Sequence, residues 1–219
     1  MVVAPVKIPV TAADEVTVLA SRSSYDEFLP LQLYFDNDEP DRKTMGINTR
    51  KNYENLYTNY VARTADYKLN FAGPLQGTAK AEAEKNVEDF FNNNVTASWK
   101  TLNLFCSKVE SALKKGIKME LEVRGRTSPL AETSYNVNLS KRRISSFVNY
   151  LKQYNSGALL PYFADGSIKV TEVAAGEDLV DQGVSDVLSD KRNSIYNPGA
   201  AIERRIELIN IKLVQPKNE

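Results

Sequence analysis

Apolar and polar residues alternate in Leu31-Gln32-Leu33-Tyr34-Phe35-Asp36. Leu31, Leu33 and Phe35 therefore share one face and Gln32, Tyr34 and Asp36 the other, which is the period of a half-buried strand. The run Asp36-Asn37-Asp38-Glu39-Pro40-Asp41 is dense in turn formers and ends it. Two helical stretches are predicted next, over about residues 48 to 71 and 79 to 114, parted by Ala72-Gly73-Pro74-Leu75-Gln76-Gly77. In the second, Val87, Phe91, Val95, Trp99, Leu102, Phe105, Val109 and Leu113 recur at steps of three and four, and Gly116 terminates it. This stripe reads as core, because no polar residue interrupts it as a cofactor box would require.

Ile117, Met119, Leu121 and Val123 alternate with Lys118, Glu120, Glu122 and Arg124, a second strand with one wet face. A helix with Ile144, Phe147, Val148 and Leu151 inward follows, then strands marked by Ile168 and Val170 and by Ile206 to Leu213. Strands separated by helices, each with one apolar face, predict a two-layer α/β sandwich. Residues 1–28 read as an extension or linker with a short edge strand at 15–20, residues 29–214 as the domain, and 215–219 as a tail.

The chain has 219 residues, one cysteine, no histidine, and 28 basic against 28 acidic side chains. Without histidine there is no Ser-His-Asp or Cys-His nucleophile system, no His-ligated zinc and no imidazole switch. Zero net charge argues against a nucleic-acid partner. Cys106 has no intrachain partner for a disulfide or a metal cage, and within an apolar helix it reads as a structural thiol. No window approaches the roughly 20 apolar residues of a membrane helix, and the opening residues lack the pattern of a signal peptide. An export signal, if used, is expected to be removed or to lie upstream.

Asp36 to Asp41 lacks the glycine and the twelfth-position glutamate of an EF-hand loop (Ile47 stands there), so a capped turn is expected rather than a calcium site. Asp36 and Glu132 as an acid and base pair have no defined separation, and no enzymatic activity, metal or cofactor is expected. Tyr53, Tyr57, Tyr60 and Tyr67 form a tyrosine-rich stripe that could stack on glycan but is better read as packing against the second helix.

The chemical signal lies at Ser140-Lys141-Arg142-Arg143. Read as a helix start capped by the Ser140 hydroxyl, it puts three cations in the first turn, against the helix dipole at about 0.3 to 1 kcal/mol each. An incoming carboxylate would meet free backbone N–H groups and a guanidinium together. The alternative is that Glu132, Asp36 or Glu203 neutralises these cations from within.

The ungapped stretch from Gly125 to Arg143, with Gly125-Arg126-Thr127-Ser128, Tyr135-Asn136 and Leu139-Ser140-Lys141-Arg142-Arg143, resembles the signature of the OmpA-like (OmpA/MotB/Pal) C-terminal domain. Leu33-Tyr34-Phe35-Asp36 is similar to that family's first strand, and Glu203-Arg204-Arg205-Ile206-Glu207 to its last. The resemblance implies a β-α-β-α-β-β domain with a mixed four-stranded sheet. It also implies noncovalent binding of the peptidoglycan stem peptide, chiefly its diaminopimelate residue, in the periplasm of a Gram-negative envelope. The chain would anchor an outer-membrane or envelope protein to the cell wall through a part not present here, with other envelope proteins as further partners.

Carried over by position, Arg143 would hold a diaminopimelate carboxylate. Asn136, Thr127, Ser128 and Leu139 would line the pocket, Asp36 and Asn37 would close it from the end of the first strand, and Arg205 would match the last-strand arginine. Three departures stand out. Ser128 occupies the position of the aspartate that takes the ligand's ammonium group, which leaves Asp36, Asp38 or Glu132 to substitute. Glu203 stands where the family has asparagine. Residues 40–85 form a helical insertion, either a docking surface or an extension of the core. A member of the family that has lost its ligand and serves as a scaffold or assembly module is the rival expectation.

Overall fold

The computed structural model describes residues 25–126, 133–173, 187 and 189–214. Four strands, β1 (Leu31–Tyr34), β2 (Lys118–Arg126), β3 (Ile168–Val173) and β4 (Arg205–Val214), form one mixed sheet in the order β1-β4-β2-β3. β4 is antiparallel to both β1 and β2, and β3 is parallel to β2, a pairing that needs a long crossover between them. The chain is thus a mixed α/β protein with a four-stranded sheet. The predicted strand between residues 15 and 20 lies outside the described residues, as do most of the extension and the whole of the tail.

Between β1 and β2 run α1 (Tyr53–Ala62), α2 (Thr64–Ala72), α3 (Gly77–Phe90), a π-helical segment (Phe91–Thr96) and α4 (Ala97–Leu113). α5 (Thr133–Gly157) and α6 (Leu160–Ala164) connect β2 to β3, and a π-helical turn (Arg192–Tyr196) and α7 (Pro198–Ile202) precede β4. The last two strands are therefore separated by short helical elements. Asn52 starts α1, accepting the Asn55 N–H on its side chain. Arg63 divides the first predicted helix in two.

The apolar stripe of the second predicted helix is buried but serves two cores. Leu102, Phe105, Val109 and Leu113 join Leu31, Leu33, Phe35, Met119, Leu121, Val123, Ile144, Phe147 and Leu151 in the main core, with Trp99 packed against it. Val87, Phe91 and Val95 join Tyr34, Tyr60, Tyr67, Phe90 and Ala201 in a second core. The π-helical segment sits where the stripe passes from one core to the other. Its extra residue per turn allows the consecutive Phe90 and Phe91 both to be buried.

The second core corrects the reading of β1. Tyr34 and Asp36, placed on its wet face by the alternation, are buried, because the 40–85 insertion covers that end of the sheet. The tyrosine stripe packs as expected: Tyr53, Tyr60 and Tyr67 are buried, and Tyr57 stacks on Trp99 with ring centroids 4.7 Å apart. Tyr25 and Phe28, read as part of the extension, pack edge-on against Phe105. Cys106 is a buried thiol whose pKa is driven up by burial. Among the described residues, no helix is long and apolar enough to cross a membrane.

Candidate functional site

α5 begins at Thr133, seven residues before the predicted start. Ser140 is therefore an interior helical residue rather than an N-cap, and Lys141, Arg142 and Arg143 do not occupy the first turn. The reading that set three cations against the positive end of the helix dipole is corrected: the dipole effect is confined to the first turn. The side chain of Ser140 packs instead on β2. A Cβ built at Gly125 would stand 2.6 Å from the Ser140 Cβ, so helix and strand approach so closely that nothing larger than glycine fits the strand.

This close approach carries Arg142 and Arg143 into the protein, where both are fully buried. Every nitrogen of Arg142 has a partner. Its Nε donates to the Pro40 carbonyl (3.0 Å), Nη1 to the Thr44 and Gly46 carbonyls (2.7 Å each), and Nη2 to Tyr135 Oη (3.3 Å). These acceptors belong to a segment held in an unusual shape, with Asp38, Asp41 and Lys43 all at positive φ, near 60°. Such backbone persists where its surroundings over-determine it, and here the Arg142 fork supplies that constraint. Asn149 extends it by donating to the Thr49 and Lys51 carbonyls at 2.8 and 3.0 Å.

Arg143 is not saturated. Nε donates to the Glu39 carbonyl (3.1 Å), Nη1 donates to the Arg126 carbonyl (2.9 Å), and the guanidinium lies 5.2 Å from the Phe35 ring centroid. Nη2 is buried without a hydrogen-bond partner, and no carboxylate pairs with Arg143 among the described residues. Burial first, then the neighbouring Arg204 and Arg142 charges, pull its pKa down to about 9, with Asp38 opposing them. Among the described residues its charge is offset only at a distance, by Asp38, and by no direct ion pair.

Asp36, expected in the same pocket, is buried and internally committed. It accepts from Arg63 Nη1, from Arg42 Nη2 (3.0 Å), from Tyr67 Oη (2.6 Å) and from the Asn37 backbone N–H (2.7 Å). Burial lowers the Arg63 pKa but the Asp36 charge outweighs it, and the net shift is upward. Burial, first, raises the Tyr67 phenol well above its ordinary value, so it remains a donor. The insertion thus supplies the counter-ions that hold Asp36, and the acidic turn is wired to arginines rather than to a cation site. No metal-holding group of three or more cysteine or carboxylate side chains occurs among the described residues.

The remaining predicted residues scatter. Leu139 is buried, while Asn136 is half-buried near the start of α5. Thr127, Ser128 and Glu132 lie outside the described residues. Arg205 faces a different centre. Its Nε donates to Glu207 (2.8 Å) and its Nη1 lies 3.4 Å from Glu203, while Arg124 and Arg126 also converge on Glu207 at 2.6 and 3.2 Å. Burial alone would raise the Glu207 pKa, but its bonds to Arg124 and Arg205 bring it down. Backbone register sets Arg205 opposite Arg126, whose carbonyl receives Arg143, so the two centres adjoin without sharing side chains.

Sequence reasoning did not anticipate the separate roles of Arg142 and Arg143, nor that Arg63 and Tyr67 hold Asp36. The Arg-Arg doublet was a visible signal. Arg63 carried none, since it lies 27 residues from the aspartate it pairs with. No protein-family model matches the chain, and comparison with curated proteins and with solved structures returns no match.

Proposed function

We propose that the chain is an OmpA-like peptidoglycan-binding module of a Gram-negative envelope, which takes a carboxylate of the stem-peptide diaminopimelate on Arg143. One observation carries this reading: a fully buried guanidinium with one nitrogen unpartnered and no counter-ion among the described residues. Protein interiors seldom leave such a charge uncompensated, because removing it from water costs several kcal/mol. A ligand carboxylate would complete the arginine fork and return the lost electrostatic energy. Entry requires the segments carrying Glu39 and Arg126 to yield enough to admit two oxygen atoms.

The competing reading is a scaffold or assembly module without peptidoglycan affinity. Two observations favour it: Arg143 has no exposed surface, and Asp36 is satisfied internally by Arg63, Arg42 and Tyr67. Ser128 in place of the resembled aspartate points the same way.

Calorimetric titration with a diaminopimelate-containing muropeptide separates the two. Anchoring predicts saturable binding that Arg143→Ala abolishes and Arg143→Lys weakens, since lysine has no planar fork. Heats equal to dilution for the unmutated protein would select the scaffold.

A further inference from the structure

Residues 42–53 carry four cations, Arg42, Lys43, Arg50 and Lys51, and no carboxylate, in a chain whose net charge is zero. Two of the four are neutralised from the acidic turn. Arg42 pairs with Asp36 and Glu39 at 3.0 Å each, and Lys51 with Glu39 at 2.8 Å and Asp41 at 3.5 Å. Lys43 and Arg50 are exposed and have no ion pair among the described residues. Between them stand Met45 and Ile47, 56% and 47% exposed, in a run of four consecutive exposed residues from Met45 to Asn48.

This strap is tied to α5 along its backbone. The Lys43 N–H donates to Tyr135 Oη (3.1 Å), and the fully buried Arg142 holds the carbonyls of Thr44 and Gly46, on either side of Met45. The Thr49 N–H donates to Ser145 Oγ (3.3 Å), and Asn149 holds the Thr49 and Lys51 carbonyls. Burial of apolar side chains is favourable, yet Met45 and Ile47 are carried in water on a backbone that cannot turn them inward without breaking these bonds. Other exposed apolar side chains differ. Leu69 and Leu104 stand singly on α2 and α4, as is ordinary at a protein surface, and the lysines near them in sequence, Lys68 and Lys108, pair with Glu88 and Glu27.

Two fixed apolar side chains on a ridge, flanked by two unneutralised cations, are complementary to a surface with an anionic layer over an apolar one, the arrangement of a bilayer containing anionic lipid. A bilayer deforms around a ridge, whereas a folded partner would have to offer a matching groove. Fixing the backbone beforehand removes part of the entropy that docking would otherwise cost. We infer that the 43–50 strap is a membrane-surface contact, with Met45 and Ile47 entering the headgroup boundary of an anionic lipid layer and Lys43 and Arg50 meeting its phosphates. Peptidoglycan binding is not required for this contact, because none of these four side chains bonds to Arg143.

The test is flotation of the full chain with vesicles of phosphatidylcholine containing phosphatidylglycerol, against vesicles of phosphatidylcholine alone. The unmutated protein is expected to float with the anionic vesicles only, and to be released as salt screens the lysine and arginine charges. Met45→Ser combined with Ile47→Ser is expected to weaken partitioning about tenfold, and Lys43→Glu combined with Arg50→Glu by about tenfold or more. All four side chains are exposed, so the denaturation midpoint should not move, and Leu69→Ser should leave flotation unchanged. Failure of the unmutated protein to float overturns the assignment, whether or not the protein binds muropeptide. Full flotation retained in the Met45→Ser, Ile47→Ser variant also overturns it, by reducing the contact to unspecific charge attraction. Self-association that the same variant loses, without flotation of the unmutated protein, overturns it in favour of a second copy of the chain.

Discussion

Arg142 and Arg143 are consecutive on one helix and equally inaccessible to water, but their surroundings are opposite. Arg142 meets three carbonyls and a phenol, and the segment it grips is held in backbone conformations that need such a grip. Arg143 meets two carbonyls and an aromatic face, and one of its nitrogens meets nothing. Burial alone therefore does not distinguish a structural arginine from one held in reserve. The hydrogen-bond inventory separates these two, although it also leaves the buried Arg204 Nε and Tyr60 Oη without partners.

That contrast breaks or holds on two substitutions of matched shape and polarity. Arg142→Met removes four donated bonds and strands their acceptors, so chemical denaturation should show a loss of about 3 kcal/mol or more. Arg143→Met removes a charge with no direct ion pair along with two bonds, so stability should fall by less than about 1 kcal/mol or rise. Equal losses in the two variants would mean that Arg143 is structural after all and that the contrast has no functional content.

Between these in size lies a backbone test. Gly125→Ala would press a methyl group onto Ser140, forcing apart the strand and the helix that carries both arginines. A cost of about 2 kcal/mol is expected, typical of overpacking. Ser140→Gly in the same chain should recover most of it by vacating the contested space. Failure of the second substitution to rescue the first would locate the strain elsewhere than at this crossing.

Much of the frame was legible from side-chain period. β2 alternates as read, β1 does so only as far as Leu33, and the stripe from Val87 to Leu113 is buried along its length apart from Trp99, which is partly so. The start of α5 was not legible, because Thr133 to Asn138 are mostly short or polar side chains with little helix preference and Ser140 satisfies the local rule for a cap. Tertiary contact overrode that rule: the close crossing at Gly125 makes Ser140 a spacer. The burial of Asp36 was also hidden, since its counter-ion comes from an insertion helix and no local pattern links Asp36 to Arg63. Of the candidate site, Arg143 has no carboxylate partner among the described residues, while Arg205 joined a paired cluster on Glu207 and Asp36 proved to be filled.

The smallest effect probes the same distinction without any charge. Tyr60 is buried in the second core, where Tyr67 and Arg204 are neighbours but neither meets its hydroxyl in hydrogen-bond geometry, and Oη has no partner. Burial, the dominant influence, raises its pKa, as expected of a phenol denied water. Removing an unsatisfied buried hydroxyl relieves a desolvation cost, so Tyr60→Phe should leave stability unchanged or raise it by up to about 1 kcal/mol, read from the denaturation midpoint at constant slope. Tyr67→Phe supplies the paired control: its hydroxyl donates to the Asp36 carboxylate at 2.6 Å, so its loss should cost about 1.5 kcal/mol or more. If the two phenylalanine variants were equally destabilised, Tyr60 would have a partner in solution. The unpaired Nη2 of Arg143, identified by the same inventory of bonds, would then lose its standing as evidence for a ligand.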